Sequence, residues 1–313
     1  MAGRPAPPLD ILIPFALSAL LLALPARNVS RRSAAVLVAM LLVFDLYQGS
    51  SSLKFAVRAD AHRATFIDNT RGNGDIAGFL HGRSGIQRTD IPNDAFLANW
   101  GAYCDVTVWQ GYLASVTENV LQVDQTENAR KLWGVAYSVA SGPTPYASQQ
   151  IFAGSSGMKV YWQPNAFPRA WVVHHVKRIE YQNQLNWYVA NRIDLLHSEG
   201  LMYDAPPSVA PCANGQDDVQ LREDQGSRVG ISARLACAGM VVVSDTYYPG
   251  WSAWVDGKAS PIYPVDGAMR GVVVPAGQHL ITMRYRPPVV YEGAALSLVG
   301  IVGALVLARS KRL

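Results

Sequence analysis

Residues 239–288 read GMVVVSDTYYPGWSAWVDGKASPIYPVDGAMRGVVVPAGQHLITMRYRPP, and this stretch decides how the chain folds. Its apolar runs are short and rich in Val, Ile, Tyr and Trp, the composition of strands. They are separated by Asp256-Gly257, Asp266-Gly267 and Pro275-Ala276-Gly277. An Asp-Gly pair between alternating runs signals a two-residue hairpin, because both central residues of a type I′ turn need positive φ. Immediately upstream, DVQLRE (218–223) and SRVGISARLA (227–236) add two more strands of the same kind. Short strands following one another through tight turns predict an antiparallel β-sandwich over 211–288.

Working outward, residues 49–210 have a mixed pattern. RATFIDNT (63–70) alternates like a strand, GDIAGFLHG (74–82) has helical spacing, and TENARKLWGV (126–135) reads as a helix opened by a Thr cap. GMKVYWQP (157–164) and RAWVVHHVKRIE (169–180) read as strands, followed by a helical stretch over 184–197. The fold class expected is therefore α+β, a mixed α/β region followed by the sandwich.

The chain of 313 residues is 50% hydrophobic and only 16% charged, against about 25% charged in soluble proteins. That composition excludes a disordered tail or a coiled coil. The excess is concentrated in three runs, at 9–25, 33–48 and 289–308. A helix that crosses the hydrocarbon needs roughly 20 apolar residues, so three transmembrane helices flanking the outer region are expected. A cleaved signal peptide is the rival reading of the first run, although Asp10, three early prolines and the second run suit it poorly. Arg27, Arg31 and Arg32 lie between the first two runs, and RSKRL (309–313) follows the third. Positive charge marks the cytoplasmic side. This places 309–313 inside as a basic tail and 49–288 outside, in a multi-pass protein of the cytoplasmic membrane. Asp45, near the outer end of the second run, reads as an interfacial acid or as part of a polar cavity between helices.

The net charge of +4 is scattered, with no basic stripe interleaved with aromatics, which excludes a nucleic-acid partner. Adjacent His174 and His175 would leave a strand on opposite faces and cannot share an ion. No metal and no cofactor is expected, and no HExxH or GxSxG motif occurs. Asp217-Asp218 and Glu223-Asp224 read as solvated acids flanking a hairpin. Cys212 and Cys237 bracket the start of the sandwich in a disulfide-permitting compartment and are expected to pair, leaving Cys104 as a lone buried thiol.

One constellation is dense enough for ligand contact. Tyr247, Tyr248, Trp251 and Trp254 lie beside Asp245 and Asp256 in SDTYYPGWSAWVDG (244–257), offering stacking faces and carboxylates of the kind sugar sites use. The same residues read equally as aromatics packing under the sandwich and at a membrane boundary. Trp100, Tyr103, Trp109 and Tyr112 form a second set open to the same two readings.

The run VVVSDTYYPGW, then VDG, PAGQH and YRP before a last apolar segment, resembles the carboxyl-terminal region of YfhO-type bacterial membrane proteins. These belong to the GT-C glycosyltransferase superfamily. DIAGFLHGRSGIQR (75–88), WQGY (109–112), KLWGVAYSV (131–139), VYWQPNAFPRAWVV (160–173) with its Pro168-Arg169 pair, and FDL (44–46) resemble upstream segments of the family more loosely. The resemblance implies an envelope protein of glycan assembly. In such enzymes the catalytic carboxylate lies in a first outer loop, and here residues 1–10 offer only Asp10, a single acid at a membrane edge. The expectation is a carboxyl-terminal portion of such a protein, with no catalytic residue of its own. Its partners would be the lipid bilayer and an envelope glycan or a multi-spanning glycosyltransferase subunit. Its role would be acceptor-glycan binding or scaffolding. The competing reading is a stand-alone, non-enzymatic sandwich at the membrane that binds envelope glycan or a protein partner, and a third is a purely structural envelope protein.

Overall fold

The computed structural model describes residues 68–310, apart from 85–86, 93–94, 97–98, 110–116, 124–126, 210 and 213–214. The chain divides at Asp68/Asn69, and the elements below belong to the second unit. In order they are α1 (Gly74–Ser84), β1 (Arg88–Asp90), α2 (Trp100–Tyr103), α3 (Glu118–Val123), α4 (Glu127–Leu132), β2 (Val135–Ala140), β3 (Gln149–Ala153), β4 (Lys159–Trp162), β5 (Ala170–Val173) and β6 (His175–Arg178). There follow α5 (Gln182–Asn191), a 3-10 helix (Ile193–His197), β7 (Glu199–Met202), β8 (Asp218–Gln225), β9 (Arg228–Leu235), β10 (Gly239–Thr246), β11 (Trp251–Val255), β12 (Lys258–Ser260), β13 (Tyr263–Val265), β14 (Met269–Val274), β15 (Gly277–Tyr285) and α6 (Pro288–Ser310).

The strands after 217 build two antiparallel sheets, ordered β12-β11-β15-β9-β8 and β13-β14-β10-β5. Both expected Asp-Gly turns are present, with φ of 51° and 79° at Asp256 and Gly257 and 50° and 83° at Asp266 and Gly267. Pro261 ends β12, and the chain crosses there to the other sheet as β13. A proline cannot donate to a ladder, which makes it a natural point for the change of sheet. The second sheet takes its edge strand β5 from residues 170–173, so the sandwich extends across the boundary expected at 210.

Side-chain parity along β10 explains why the valine run is continuous. Val241 and Val243 pack into the core between the two sheets with Val229, Ile231, Val272 and Ile281. Met240 and Val242 face the other way, into a core shared with Leu132, Trp171, Leu185, Leu196 and Leu201. A strand covered on both faces reads as an unbroken apolar run. The result is three layers, with the β5–β10–β14–β13 sheet between the five-stranded sheet and a layer of α4, α5, the 3-10 helix and β7. A further sheet, β1-β2-β4-β3, packs against α1 in its own core around Ile76, Leu80, Trp100 and Val160.

The membrane part of the expected fold is corrected. Among the described residues no helix is long and apolar enough to cross a membrane, so three flanking transmembrane helices are not supported. The runs at 9–25 and 33–48, with Asp45, lie outside the described residues. The run at 289–308 falls on α6, whose described side chains begin with two turns that include Tyr291 and Glu292 and end at residue 303. All described side chains of α6 are exposed.

Candidate functional site

Asp245 lies two residues beyond Val243 on β10, at the end of the sandwich core. There it gathers three arginines brought from distant parts of the chain. Arg88, at the start of β1, places Nη2 2.6 Å from Asp245 Oδ1. Arg169, just before β5, donates from Nη2 to the same oxygen at 3.2 Å and to Asp224 Oδ2 on β8 at 2.8 Å. Arg270, which pairs with Val243 across β10 and β14, donates from Nη2 to Asp245 Oδ2 at 2.6 Å. Ser244 completes the arrangement, its hydroxyl accepting from Arg169 Nε at 3.1 Å and its carbonyl from Arg88 Nη1 at 2.6 Å. Arg88 Nη1 also donates to Trp133 O at 2.6 Å.

The cluster joins three sheets through charge-assisted hydrogen bonds, the strong class of such bonds. Burial pushes the Asp245 carboxyl up, but the combined pull of Arg88, Arg270 and Arg169 outweighs it and holds the group below the ordinary carboxylate range. Burial, with Arg169 nearby, lowers Arg88 to about 10, and burial also lowers Arg270 against the pull of Asp245. At neutral pH Asp245 is thus ionised and Arg88 protonated. The cluster works as an electrostatic clamp.

This changes the reading of the aromatic constellation. Asp245 spends both carboxylate oxygens on arginines, so it is no open acceptor for a ligand. The Arg270 guanidinium lies over the Trp251 ring at 3.8 Å, and Tyr285 lies 5.4 Å from the same ring. Trp251 packs against the sandwich core with Ala253 and Val255. Trp254, of opposite parity on β11, is on the outer face with Arg284 at 6.0 Å. Side chains at odd and even positions of one strand leave on opposite faces, so Trp251 and Trp254 cannot grip one ligand. Tyr247 is partly buried, and its backbone N–H bonds Ala268 O at 2.6 Å. Tyr248 is 48% exposed beside Tyr285. Asp256 holds the β11–β12 turn to β15, accepting from Leu280 N at 2.8 Å and lying 2.6 Å from His279 Nδ1. Its backbone and His279 bonds lower the Asp256 carboxyl and raise the His279 imidazole. The six residues therefore serve three separate places rather than one site.

The second aromatic set also divides. Trp100 is fully buried with Phe96 edge-on at 4.7 Å, Tyr103 is exposed, and Trp109 lies under Arg130 at 5.4 Å. Tyr112 lies outside the described residues.

Cys212 and Cys237 are joined, with Cα atoms 5.7 Å apart. Beside them Asp217 accepts from Ala236 N at 2.8 Å and lies 2.9 Å from His174 Nε2. Asp217 and Asp224 are therefore tied into structural hydrogen bonds rather than left as solvated turn acids. His175 pairs separately with Glu199 at 2.9 Å, and among the described residues no group of three metal-ligating side chains occurs. Cys104 is a half-buried free thiol whose pKa burial raises.

Sequence reasoning missed Arg88 and Arg270 altogether and met Arg169 only inside the Pro168-Arg169 pair. Arg88 and Arg169 stand 157 and 76 residues from Asp245. The only local signal is Asp245 itself, an acid continuing the inward face of an apolar strand.

No curated protein and no solved structure matches the chain. A family match begins just before β8, ends within α6 and includes Asp224, Asp245, Trp251 and Arg270. Residues 216–297 match the family model of the bacterial membrane protein YfhO, and the chain thus carries a YfhO-type C-terminal region.

Proposed function

We propose that the chain is the outward-facing part of a GT-C-like, membrane-associated system of envelope polysaccharide glycosylation, in which it binds acceptor glycan beside a multi-spanning glycosyltransferase subunit that performs the transfer. The observation that carries this reading is the continuity of the family-matched sheet with α6. β15 passes through Pro287 and Pro288 into a helix whose described side chains are all exposed, Val289 at 74% and Leu296 at 73% among them. So large an exposed apolar surface belongs against lipid or another chain. The layered domain would thereby stand at the surface of the bacterial cytoplasmic membrane. The Cys212–Cys237 bond supports the oxidising, extracytoplasmic side.

The test is a strain from which the coding sequence is deleted, with its envelope polysaccharide examined by linkage analysis. The expected result is loss of a sugar substituent, restored by the wild-type chain supplied in trans. Unchanged polysaccharide would overturn the proposal.

A further inference from the structure

Away from the family-matched residues and from Asp245, the fold has a place with the make-up of a small-molecule site. A pocket of about 420 Å3 opens where α4, the 164–167 loop and the 3-10 helix meet. Ligand pockets span about 300–1,000 Å3. Its walls are fixed by hydrogen bonds: Phe167 N donates to Lys131 O at 2.9 Å, Asn165 N to Gln163 Oε1 at 3.1 Å, and Trp171 Nε1 to Leu196 O at 3.0 Å. Phe167 is 1% exposed and has Trp171 edge-on at 5.2 Å. The His197 ring lies flat on Phe167, with centroids 3.6 Å apart and planes 8° from parallel.

That stack fixes the imidazole and covers one of its faces, while the residue itself is exposed. Ile193 adds a partly buried apolar wall, and Lys131, Asn165 and Asp194 supply polar groups. Burial lowers His197 against the pull of Asp194, so the imidazole is neutral at pH 7. One cation, one anion, an amide and a neutral imidazole offer donors and acceptors in balance. That set suits a ring with an apolar face and a hydroxylated edge better than it suits a phosphate, which calls for several donors and positive charge.

We infer that this pocket holds one neutral pyranose unit of a glycan, its C–H face against Ile193 and the open face of His197, its hydroxyls on Lys131, Asn165 and Asp194. The inference rests on the glycan-binding reading and names where the contact is made and which sugar chemistry it takes.

The experiment uses the full chain in lipid nanodiscs with isotope-labelled histidine, the His197 signal being assigned with His197→Gln. Methyl β-glucoside and methyl N-acetylglucosaminide are titrated, with inorganic phosphate as the charged comparison. A saturable shift of the His197 signal with at least one sugar and none with phosphate is expected. Asn165→Ala and Asp194→Ala should each weaken binding roughly tenfold, as loss of one good hydrogen bond does. Both residues are exposed, so the thermal midpoint should hold. A silent His197, a response to phosphate alone, or an affinity in both variants unchanged from that of the unaltered chain overturns the inference. Envelope polysaccharide is tested alongside. If the unaltered chain and both variants bind it equally, the pocket inference falls while the glycan-binding reading stands. If the unaltered chain does not bind it, both fall.

Discussion

Arg270 Nη2 stands 2.6 Å from Asp245 Oδ2, with the same guanidinium lying over the Trp251 ring at 3.8 Å. One arginine thus links the acid of the SDTYYPGW run to its tryptophan. The run is held by a clamp made inside the sandwich, with Asp245 and Trp251 both on it.

Removing the acid leaves three guanidiniums facing one another. Asp245→Ala should destabilise the domain by about 3–5 kcal/mol, the usual effect of breaking a buried ion pair on one side. Equilibrium unfolding in urea checks this, and a change under about 1 kcal/mol would contradict it. The folded Asp245 carboxyl is depressed, so its contribution is present above the unfolded value of about 3.9 and is lost as pH falls through the lower folded value. Below about pH 4 the wild type should therefore lose stability more steeply than Asp245→Asn.

Asp266 shows the opposite sign. It is fully buried, accepts from Leu201 N at 2.9 Å through Oδ1, and burial pushes its carboxyl up to about 7. The folded state holds the proton more tightly than the unfolded one, so stability falls as pH rises from about 4 to about 7 and levels off above. Asp266→Asn keeps an acceptor for Leu201 N and removes the charge. It should stabilise the protein at pH 8 by a few kcal/mol relative to its effect at pH 4, read from thermal midpoints across that range.

The two tryptophans of β11 should separate in a mutational test. Trp251→Ala opens the edge of the sandwich core and strips the stack from Arg270, for a loss of about 2–4 kcal/mol. Trp254→Ala, on the outer face, should cost about 1 kcal/mol or less. Equal effects would contradict the parity seen along the strand.

Cys212 and Cys237 are 25 residues apart. Closing a loop of that length stabilises by about 3 kcal/mol, so Cys212→Ser/Cys237→Ser should lower the unfolding free energy by that amount. In the oxidised, denatured wild type, alkylation followed by peptide mapping should label Cys104 alone.

The parts of this fold that were legible in the sequence are those with local causes. Asp256-Gly257 and Asp266-Gly267 announce their turns because few other pairs accept positive φ twice. The helix expected over 126–135 ends at Leu132 because Gly134, at φ 71°, turns the chain into β2. The stretch over 184–197 breaks at Arg192 into an α-helix and a 3-10 helix. What stayed hidden depends on long-range pairing. Nothing in AWVV says that β5 will pair with β10, and nothing near Arg88 says that its partner is Asp245. The aromatic run looked like a binding site because composition reveals which residues are close in the chain, whereas β11 sends neighbouring side chains to opposite faces.

Equilibrium binding of envelope polysaccharide to the full chain in lipid nanodiscs is the most direct measurement of what this domain does. Saturable binding is predicted, lost when the domain is unfolded by reduction together with Asp245→Ala. No binding by the folded, oxidised chain at any polysaccharide concentration would contradict a glycan-recognition role.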